Sequence, residues 1–374
     1  MKTEAIDRGL FDELAGRTGN DLISIYIPTH RFGREVSQDR IRFKNQLSSA
    51  SDQLEGRGWK PRERSDRLES AENLLDDREF WEHQSNGLAV FIDDLGAVTT
   101  VSLSVESGPS CTVMPVFLLR LIAAELERPM VPVLALTRGF VGLYETDSTS
   151  VMRIDSDLPG SFEDVNWFVD REKQRQQHPY RAGATGRHGH EPALRETEDT
   201  RRFVREVADA LPGGEQGSPL VVLGDVGLIS RFQSETNRHV ISPENSGLSS
   251  PITDSQILDL AAPAVTELER EQVARAISRA QEQLGLGNAS TDIGTALGDA
   301  MSGRLGEVVF QRDAEPIWGR VDEGSLEVTV MEDRSAVDVD LLDRLIVATI
   351  ASGGEAHAAP SPVEGRPFLA IRRF

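Results

Sequence analysis

The hydrophobic pattern of the first third of the chain alternates between stretches typical of strands and stretches typical of helices. Residues 23–27 (ISIYI) alternate as a strand does and stop at Pro28. Apolar residues at helical spacing then predict two amphipathic helices, the first through Phe43, Leu47, Ala50 and Leu54 and the second through Leu68, Ala71, Leu74 and Leu75. Residues 88–92 and 98–105 predict a β-hairpin, and residues 116–126 predict a further helix.

The middle third continues this alternation on both sides of a polar stretch. Residues 133–136 and 140–144 predict a second hairpin. A strong helix is predicted from one apolar face, which consists of Phe203, Val204, Val207, Ala208 and Leu211. Residues 220–224 form an apolar, β-branched run that is typical of a central strand buried on both sides.

The last third predicts three helices and three strands. The apolar spacing places helices over residues 273–284, 293–301 and 341–350, and Thr291 or Asp292 can cap the second of them. Strands are predicted at residues 308–310, 326–330 and 368–371. Because helices and strands alternate throughout, we expect an α/β protein with three α/β domains, residues 1–128, 129–262 and 263–374.

Composition excludes several classes of protein. The chain has 374 residues, of which 39% are hydrophobic, so it can bury several cores and is not disordered as a whole. Its 32 Gly and 18 Pro are scattered, which excludes a collagen-like chain, and no heptad pattern is sustained. The single cysteine, Cys111, excludes a disulfide scaffold and a cysteine-based metal centre. We interpret Cys111 as a small buried apolar residue in a reducing compartment.

Charge and hydropathy limit the kinds of partner that the chain can bind. The longest apolar run, residues 113–124, is interrupted by Pro115 and Arg120 and is shorter than the roughly 20 residues of a membrane span. The first residues have no apolar signal core, so we expect a cytoplasmic protein with no membrane partner. The net charge of -21 argues against an unselective nucleic-acid coat. It leaves RNA contact through local basic patches open, because salt screens charges beyond about 8–10 Å.

Common catalytic and nucleotide-binding motifs are absent from the sequence. It contains no GxxxxGK[ST] loop, no GxGxxG after a strand, no GxSxG and no HExxH. These absences remove the most frequent dehydrogenase and hydrolase classes, and we expect no cofactor. Other enzyme classes stay open.

The densest group of chemically active residues lies in a stretch that we name the central loop, residues 170–192. The stretch has almost no aliphatic residues, so it cannot build a core and we expect an exposed loop. Its lysine, arginines and glycines are Arg171, Lys173, Arg175, Arg181, Gly183, Gly186, Arg187 and Gly189. Guanidinium groups pair with phosphate oxygens and glycines allow close approach, so RNA contact is one interpretation. The other is a solvated loop whose charges maintain solubility.

The central loop also contains His188 and His190, which stand two residues apart before Glu191. Imidazole and carboxylate suit zinc or manganese, but the sequence offers no recognisable third ligand, so we predict no metal site. A second basic patch consists of Arg31, Arg34, Arg40, Arg42 and Lys44. RNA contact and a helix face paired with acids are both consistent with it. The run Gly213-Gly214-Glu215-Gln216 lies between a helix and a strand, and we interpret it as a helix-stop loop.

Several strings in this sequence resemble the bacterial branch of the archaeo-eukaryotic peptide chain release factor family. In the N-terminal part they are residues 23–31 (ISIYIPTHR), 38–45 (QDRIRFKN), Phe80-Trp81 and 87–91 (GLAVF). In the last third they are Thr291-Asp292-Ile293, Gly303-Arg304, Trp318-Gly319 and the stretch from Leu341-Leu342-Asp343 to Gly353-Gly354. The resemblance covers nearly the whole chain.

This resemblance implies an architecture and a site. The family's N-terminal domain reads the stop codon in eukaryotic members, the middle domain is ribonuclease-H-like, and the α/β/α C-terminal domain is similar to kink-turn-binding proteins. The C-terminal domain binds partners such as a translational GTPase. The family's catalytic loop carries Gly-Gly-Gln between a strand and a long helix, and residues 183–194 stand in that place here.

The motif itself is absent, so no residue carries over as the catalytic glutamine. His188 and His190 become candidates for positioning a water molecule against the peptidyl-tRNA ester, and Arg181 and Arg187 become candidates for pairing with phosphates. Pelota-type relatives also lack the motif and help to take stalled ribosomes apart. Whether this chain hydrolyses peptidyl-tRNA is therefore left open.

We expect a ribosome-associated release or rescue factor that contacts tRNA or rRNA on stalled or damaged ribosomes, in a response to stress. Three alternatives stay open. One is a non-catalytic, Pelota-like ribosome-binding protein. Another is a metal-assisted hydrolase or nuclease that uses His188, His190 and a carboxylate. The last is an adaptor whose acidic surface docks basic ribosomal proteins or a GTPase.

Overall fold

The chain folds as a mixed α/β protein, as the sequence predicts. Its described residues form four sheets. The computed structural model describes residues 6–30, 35–82, 84–104, 107–147, 150–165, 191–212, 219–243, 247–248, 252–322 and 324–373, with the backbone alone for 191–197. Two compact units are present: unit 1 is Met1–Arg128 with Arg270–Phe374, and unit 2 is Pro129–Glu269. The division into three domains stays a prediction. Within the described ranges, every helix is too short or too polar to cross a bilayer.

The first part of unit 1 is an antiparallel sheet with helices on it. Its helices are α1 (Arg8–Gly16), α2 (Val36–Gly56), α3 (Pro61–Glu72), a 3-10 turn (Asn73–Asp76), α4 (Arg78–Glu82) and α5 (Arg120–Leu126). Its strands are β1 (Thr18–Pro28), β2 (Gly87–Ile92), β3 (Val98–Leu103) and β4 (Ser110–Val116), in the order β3-β2-β1-β4. The predicted hairpin is confirmed, because β2 and β3 pair in antiparallel register.

The helix predicted over residues 116–126 is wrong in its first part. Val116 ends strand β4, and the helix begins only at Arg120. The Ser24 hydroxyl accepts from the Leu118 amide at 2.9 Å, and the Tyr26 hydroxyl donates to the Leu118 carbonyl at 2.5 Å. These two contacts bind Leu118 to β1 and keep the residues between β4 and α5 out of the helix. Apolar spacing alone does not reveal such contacts.

Side chains cover the outer edge of β4, which ends its sheet. Gln53 donates to the Cys111 carbonyl at 2.9 Å and accepts from the Val113 amide at 3.2 Å. Arg57 and Arg334 each donate to the Val113 carbonyl at 2.5 Å. An exposed strand edge is a template for pairing with other chains, so these contacts satisfy an edge that would otherwise be open.

Unit 2 contains a five-stranded sheet in the order β7-β6-β5-β8-β9. Its elements are β5 (Val131–Leu136), β6 (Val141–Thr146), β7 (Val151–Ile154), α6 (Glu191–Ala210), β8 (Pro219–Gly224), α7 (Val226–Glu235), β9 (His239–Ile241) and α8 (Asp254–Gly285), which continues into unit 1. Strands β5, β8 and β9 are parallel. Leu220 and Val222 enter one core cluster and Val221 and Leu223 the other, so the prediction of a doubly buried strand is confirmed.

The last part of unit 1 holds a four-stranded and a three-stranded sheet, in the orders β10-β16-β11-β15 and β13-β12-β14. Its elements are β10 (Ala289–Ser290), α9 (Ile293–Met301), β11 (Leu305–Gln311), β12 (Trp318–Val321), β13 (Val328–Val330), β14 (Val339–Asp340), α10 (Leu341–Ala351), β15 (Glu355–Ala359) and β16 (Phe368–Arg372). Of the two predicted caps, Asp292 caps α9 by accepting from the Thr295 amide.

The two parts of unit 1 share one hydrophobic core. Phe91 and Phe117 of the first part belong to the same buried cluster as Phe310, Leu342 and Leu345 of the last part. Since residues more than 200 positions apart bury each other, the two parts of unit 1 stabilise one another.

Candidate functional site

The candidate site lies where the parallel strands β5 and β8 of unit 2 end. Gly224 adopts a positive φ of 141°, and a Cβ atom there would lie 1.9 Å from the Leu136 carbonyl oxygen, so only glycine fits. The next residue, Asp225, donates its amide to the same carbonyl at 3.1 Å and caps α7 by accepting from the Gly227 amide at 2.9 Å. Ligands of open α/β sheets bind outside the carboxyl ends of the strands.

The chain segment that leads into the central loop is attached to the turn after β5. The Phe162 amide donates to the Arg138 carbonyl at 2.8 Å, and the Gly160 carbonyl accepts from the Val141 amide at 2.9 Å. The Arg138 guanidinium lies 5.0 Å from the centre of the Phe162 ring, a cation–π contact. These contacts hold residues Gly160 and Phe162 at the candidate edge of the sheet.

Helix α6 begins at Glu191, so residues 191–192, which were predicted to be part of the loop, are helical. The helix is held in unit 2 by its second half. Phe203 is fully buried and meets Phe162 edge to face, with 5.4 Å between ring centres. At a rise of 1.5 Å per residue, the twelve steps from Glu191 to Phe203 correspond to about 18 Å of helix. The hydrogen bond from Arg201 lowers the pKa of Glu235 on α7, whose carboxylate lies 2.8 Å from Arg201 and 3.3 Å from Arg205.

The predicted site residues of the central loop lie outside the described residues. They are Lys173, Arg175, Arg181, Gly183, Gly186, Arg187, His188, Gly189 and His190. Residues 213–216, interpreted as a helix-stop loop, lie outside them as well. The roles of these residues stay predictions.

The second basic patch is only partly described, because Arg31 and Arg34 lie outside the described residues. Arg42 lies with its Nη1 2.6 Å from Oδ1 of Asp39, a carboxylate that is only 1% exposed. The same carboxylate accepts the His30 amide at 2.8 Å, and the His30 Nδ1 lies 2.9 Å from it. Asp39 thereby ties the end of β1 to α2. Lys44 is exposed on the same helix, and RNA contact by this patch stays a prediction.

Sequence analysis did not identify Arg138, Phe162 or Glu235 as supports of the site. Arg138 lay between the two strands of a predicted hairpin, and no element was predicted at Phe162. Neither position carries a periodic signal, since their partners come from distant parts of the chain. Across the described residues, no group of three or more His, Cys, Asp or Glu side chains is arranged to hold a metal ion.

Comparison with known proteins gives one family match. Residues 132–304 match the model of bacterial archaeo-eukaryotic release factor family 3. The middle part of this chain is therefore similar to the release factors of that family. The matched region begins in β5, includes the described segments on both sides of the central loop and ends after α9. The resemblance inferred from the sequence is thereby confirmed.

Several solved archaeal structures also match this chain, at low sequence identity. The archaeal translation termination factor aRF1 is 13% identical over 99% of both chains, with a TM-score of 0.25. Pelota from Archaeoglobus fulgidus is 14% identical over 77% of this chain and 79% of its own, with a TM-score of 0.32. A ribosome-bound archaeal Pelota is 11% identical over 77% of each chain, with a TM-score of 0.35. No curated protein matches the release factor-like protein.

Proposed function

We propose that this release factor-like protein is a translation factor of the bacterial cytoplasm that acts on stalled or damaged ribosomes, under stress rather than in routine termination. The observation that carries the proposal is the family match over residues 132–304, since the matched family is one of release factors. The match includes the central loop together with the two segments that hold its ends.

The central loop is the part that contacts RNA in this proposal. The described segments on either side of it form a common base, because Phe162 before the loop packs against Phe203 in the helix after it. A charged loop on such a base can bring Arg181 and Arg187 to the phosphates of tRNA or rRNA. His188 and His190 are the candidates for positioning a water molecule against an ester, a task that depends on orientation.

Sedimentation with empty, translating and stalled ribosomes at several salt concentrations tests the proposal. We expect binding to stalled ribosomes, with an affinity that falls steeply as salt rises. Changing Arg181 and Arg187 to Ala should reduce the slope of log K against log salt by about one for each phosphate that the variant no longer neutralises. The matched control changes Arg62 and Arg78, two exposed arginines of α3 and α4, to Ala and should keep the slope. Absence of binding to all three kinds of ribosome would retire the proposal.

Measurements of peptide release and of ribosome binding distinguish a catalytic role from a non-catalytic, Pelota-like role. Release of peptide from peptidyl-tRNA on the ribosome should occur with the unaltered protein and fall when His188 and His190 are both changed to Ala. Ribosome binding without peptide release would instead assign the non-catalytic role. The resemblance also implies a translational GTPase as partner, which co-sedimentation with and without a non-hydrolysable GTP analogue tests.

A further inference from the structure

Two carboxylates and one guanidinium are buried together where the two parts of unit 1 meet. Asp343 and Asp340 are each 1% exposed, and the Arg120 side chain is 12% exposed. Asp340 belongs to the start of α10, whereas Arg120 is the first residue of α5, some 220 positions earlier in the chain. Both helices therefore begin at this cluster, which we name the acidic joint.

Asp343 holds the start of α5 from a distant part of the chain. Its Oδ1 accepts the amide of Leu119 at 2.7 Å and the amide of Arg120 at 2.6 Å. These donors are the first orphan amides of α5, so a carboxylate 224 positions away acts as their cap. Asp340 caps its own helix, since its Oδ1 accepts the amide of Leu342 at 3.0 Å. The same oxygen also accepts the amide of Ile317, just before β12, at 3.2 Å.

The second oxygen of each carboxylate is the unusual feature of the acidic joint. Oδ2 of Asp343, Oδ2 of Asp340 and Nη1 of Arg120 are buried, and none has a hydrogen-bond partner among the described residues. Arg120 Nη1 lies 3.6 Å from Asp340 Oδ2, so the pair attracts without a hydrogen bond. One guanidinium can balance one carboxylate, which leaves one negative charge uncompensated in a buried place if both acids are ionised.

We propose that the acidic joint is a proton-dependent connection between the two parts of unit 1. While the Asp340–Asp343 pair holds one proton, the joint is tight. When the pair loses that proton, the two carboxylates repel each other and the hold on α5 loosens. The groups that face Asp343 are Asp340 on α10, Arg120 on α5 and the Tyr26 hydroxyl on β1.

The titration of the pair falls within the physiological range. Burial, and after it the charge of Asp340, raises the pKa of Asp343 from 3.8 to about 7. Burial also raises the pKa of Asp340. At pH values between 3.8 and about 7, Asp343 is protonated in the folded chain and ionised in the unfolded chain. The contribution to the free energy of unfolding is therefore complete in acid and is lost as pH rises through about 7.

Hydrogen exchange of the Leu119 and Arg120 amides, measured from pH 6 to pH 8 and corrected for intrinsic exchange, tests the proposal. We expect their protection factors to fall about tenfold over this interval, the change that linkage gives for one proton with a midpoint near 7. In Asp343→Asn, whose amide keeps the acceptor oxygen and carries no charge, protection should be independent of pH and exceed that of the unaltered protein at pH 8. Equal pH slopes in the two proteins would overturn the proposal.

The matched control is Asp292→Asn, at the cap of α9 in the same part of unit 1. Asp292 is ionised in folded and unfolded chains over this interval, because hydrogen bonds from Thr295 lower its pKa, and Asn caps helices equally well. This variant should keep the pH slope of the unaltered protein. If Asp343→Asn does not fold, the carboxyl carbon NMR signal of Asp343 in the unaltered protein decides. A midpoint near 7 supports the joint, and a midpoint below pH 5 overturns it.

Discussion

Phe162 and Phe203 meet edge to face with 5.4 Å between their ring centres, and they stand on opposite sides of the central loop in the sequence. One precedes the loop by a few residues, and the other lies in the helix that follows it. This contact, together with the hydrogen bond between the Phe162 amide and the Arg138 carbonyl, joins the two described segments that flank the central loop into a common base.

Replacing Phe162 by Ala should open this base. Because Phe162 is only partly buried, we expect a loss of about 1–3 kcal/mol in the free energy of unfolding of unit 2, below the full cost of a buried Phe→Ala change. Urea unfolding measures this loss, and ribosome sedimentation should show a lower affinity for stalled ribosomes. Phe140→Ala is the matched control, since Phe140 is also partly buried but packs against the other core cluster. An equal loss of ribosome affinity in both variants would contradict a special role for Phe162.

Replacing Asp39 by Ala should strongly destabilise unit 1. The change leaves the His30 amide and the Arg42 guanidinium without the buried carboxylate that pairs with both, and because Arg42 is partly exposed we expect a loss of about 2–3 kcal/mol in the free energy of unfolding. Urea unfolding measures the loss. Asp52→Ala alters an exposed residue of the same helix and should change stability by no more than about 0.5 kcal/mol. Similar effects of the two changes would show that Asp39 is not the link between β1 and α2.

Replacing Gly224 by Ala should disrupt the carboxyl edge of the unit 2 sheet. The new Cβ would lie 1.9 Å from the Leu136 carbonyl oxygen, at a φ of 141° that L residues rarely adopt, so we expect a loss of about 3 kcal/mol or more. Thermal unfolding followed by circular dichroism checks this. Gly139→Ala, at a glycine in the turn after β5 with open space around it, should be close to neutral. A mild effect at Gly224 would mean that β5 and β8 can separate at this edge.

The single thiol should be inert in the folded protein. Burial raises the pKa of Cys111 to about 12, so the reactive thiolate is scarce at pH 8. Alkylation by iodoacetamide should therefore be about a thousandfold slower than for a free cysteine. The same chain in urea, where the thiol is exposed, should react at the ordinary rate and serves as the reference. Fast alkylation without urea would show that β4 opens at its edge.

The local pattern of apolar and polar residues was sufficient to predict most helices and strands. Alternation at residues 23–27 predicted β1, and apolar spacing through Phe203, Val204 and Val207 predicted α6, because each pattern repeats with the period of its own element. The doubly buried β8 and the Asp292 cap were also predicted, since strand burial and capping depend on residue types within a few positions. Helix α8 was predicted too short: it begins at Asp254, where apolar spacing was not recognised.

Contacts between distant residues were decided by the tertiary structure. The sequence indicated a helix from residue 116, yet bonds from Ser24 and Tyr26 of β1 turn the chain there and delay the helix to Arg120. It contained both Leu119 and Asp343, but no rule of spacing joins a cap to an amide 224 positions away. A periodic pattern records which face of an element is buried, because that depends on the residue types of the element itself. Which partner buries it depends on how the whole chain packs, and only the folded molecule contains that information.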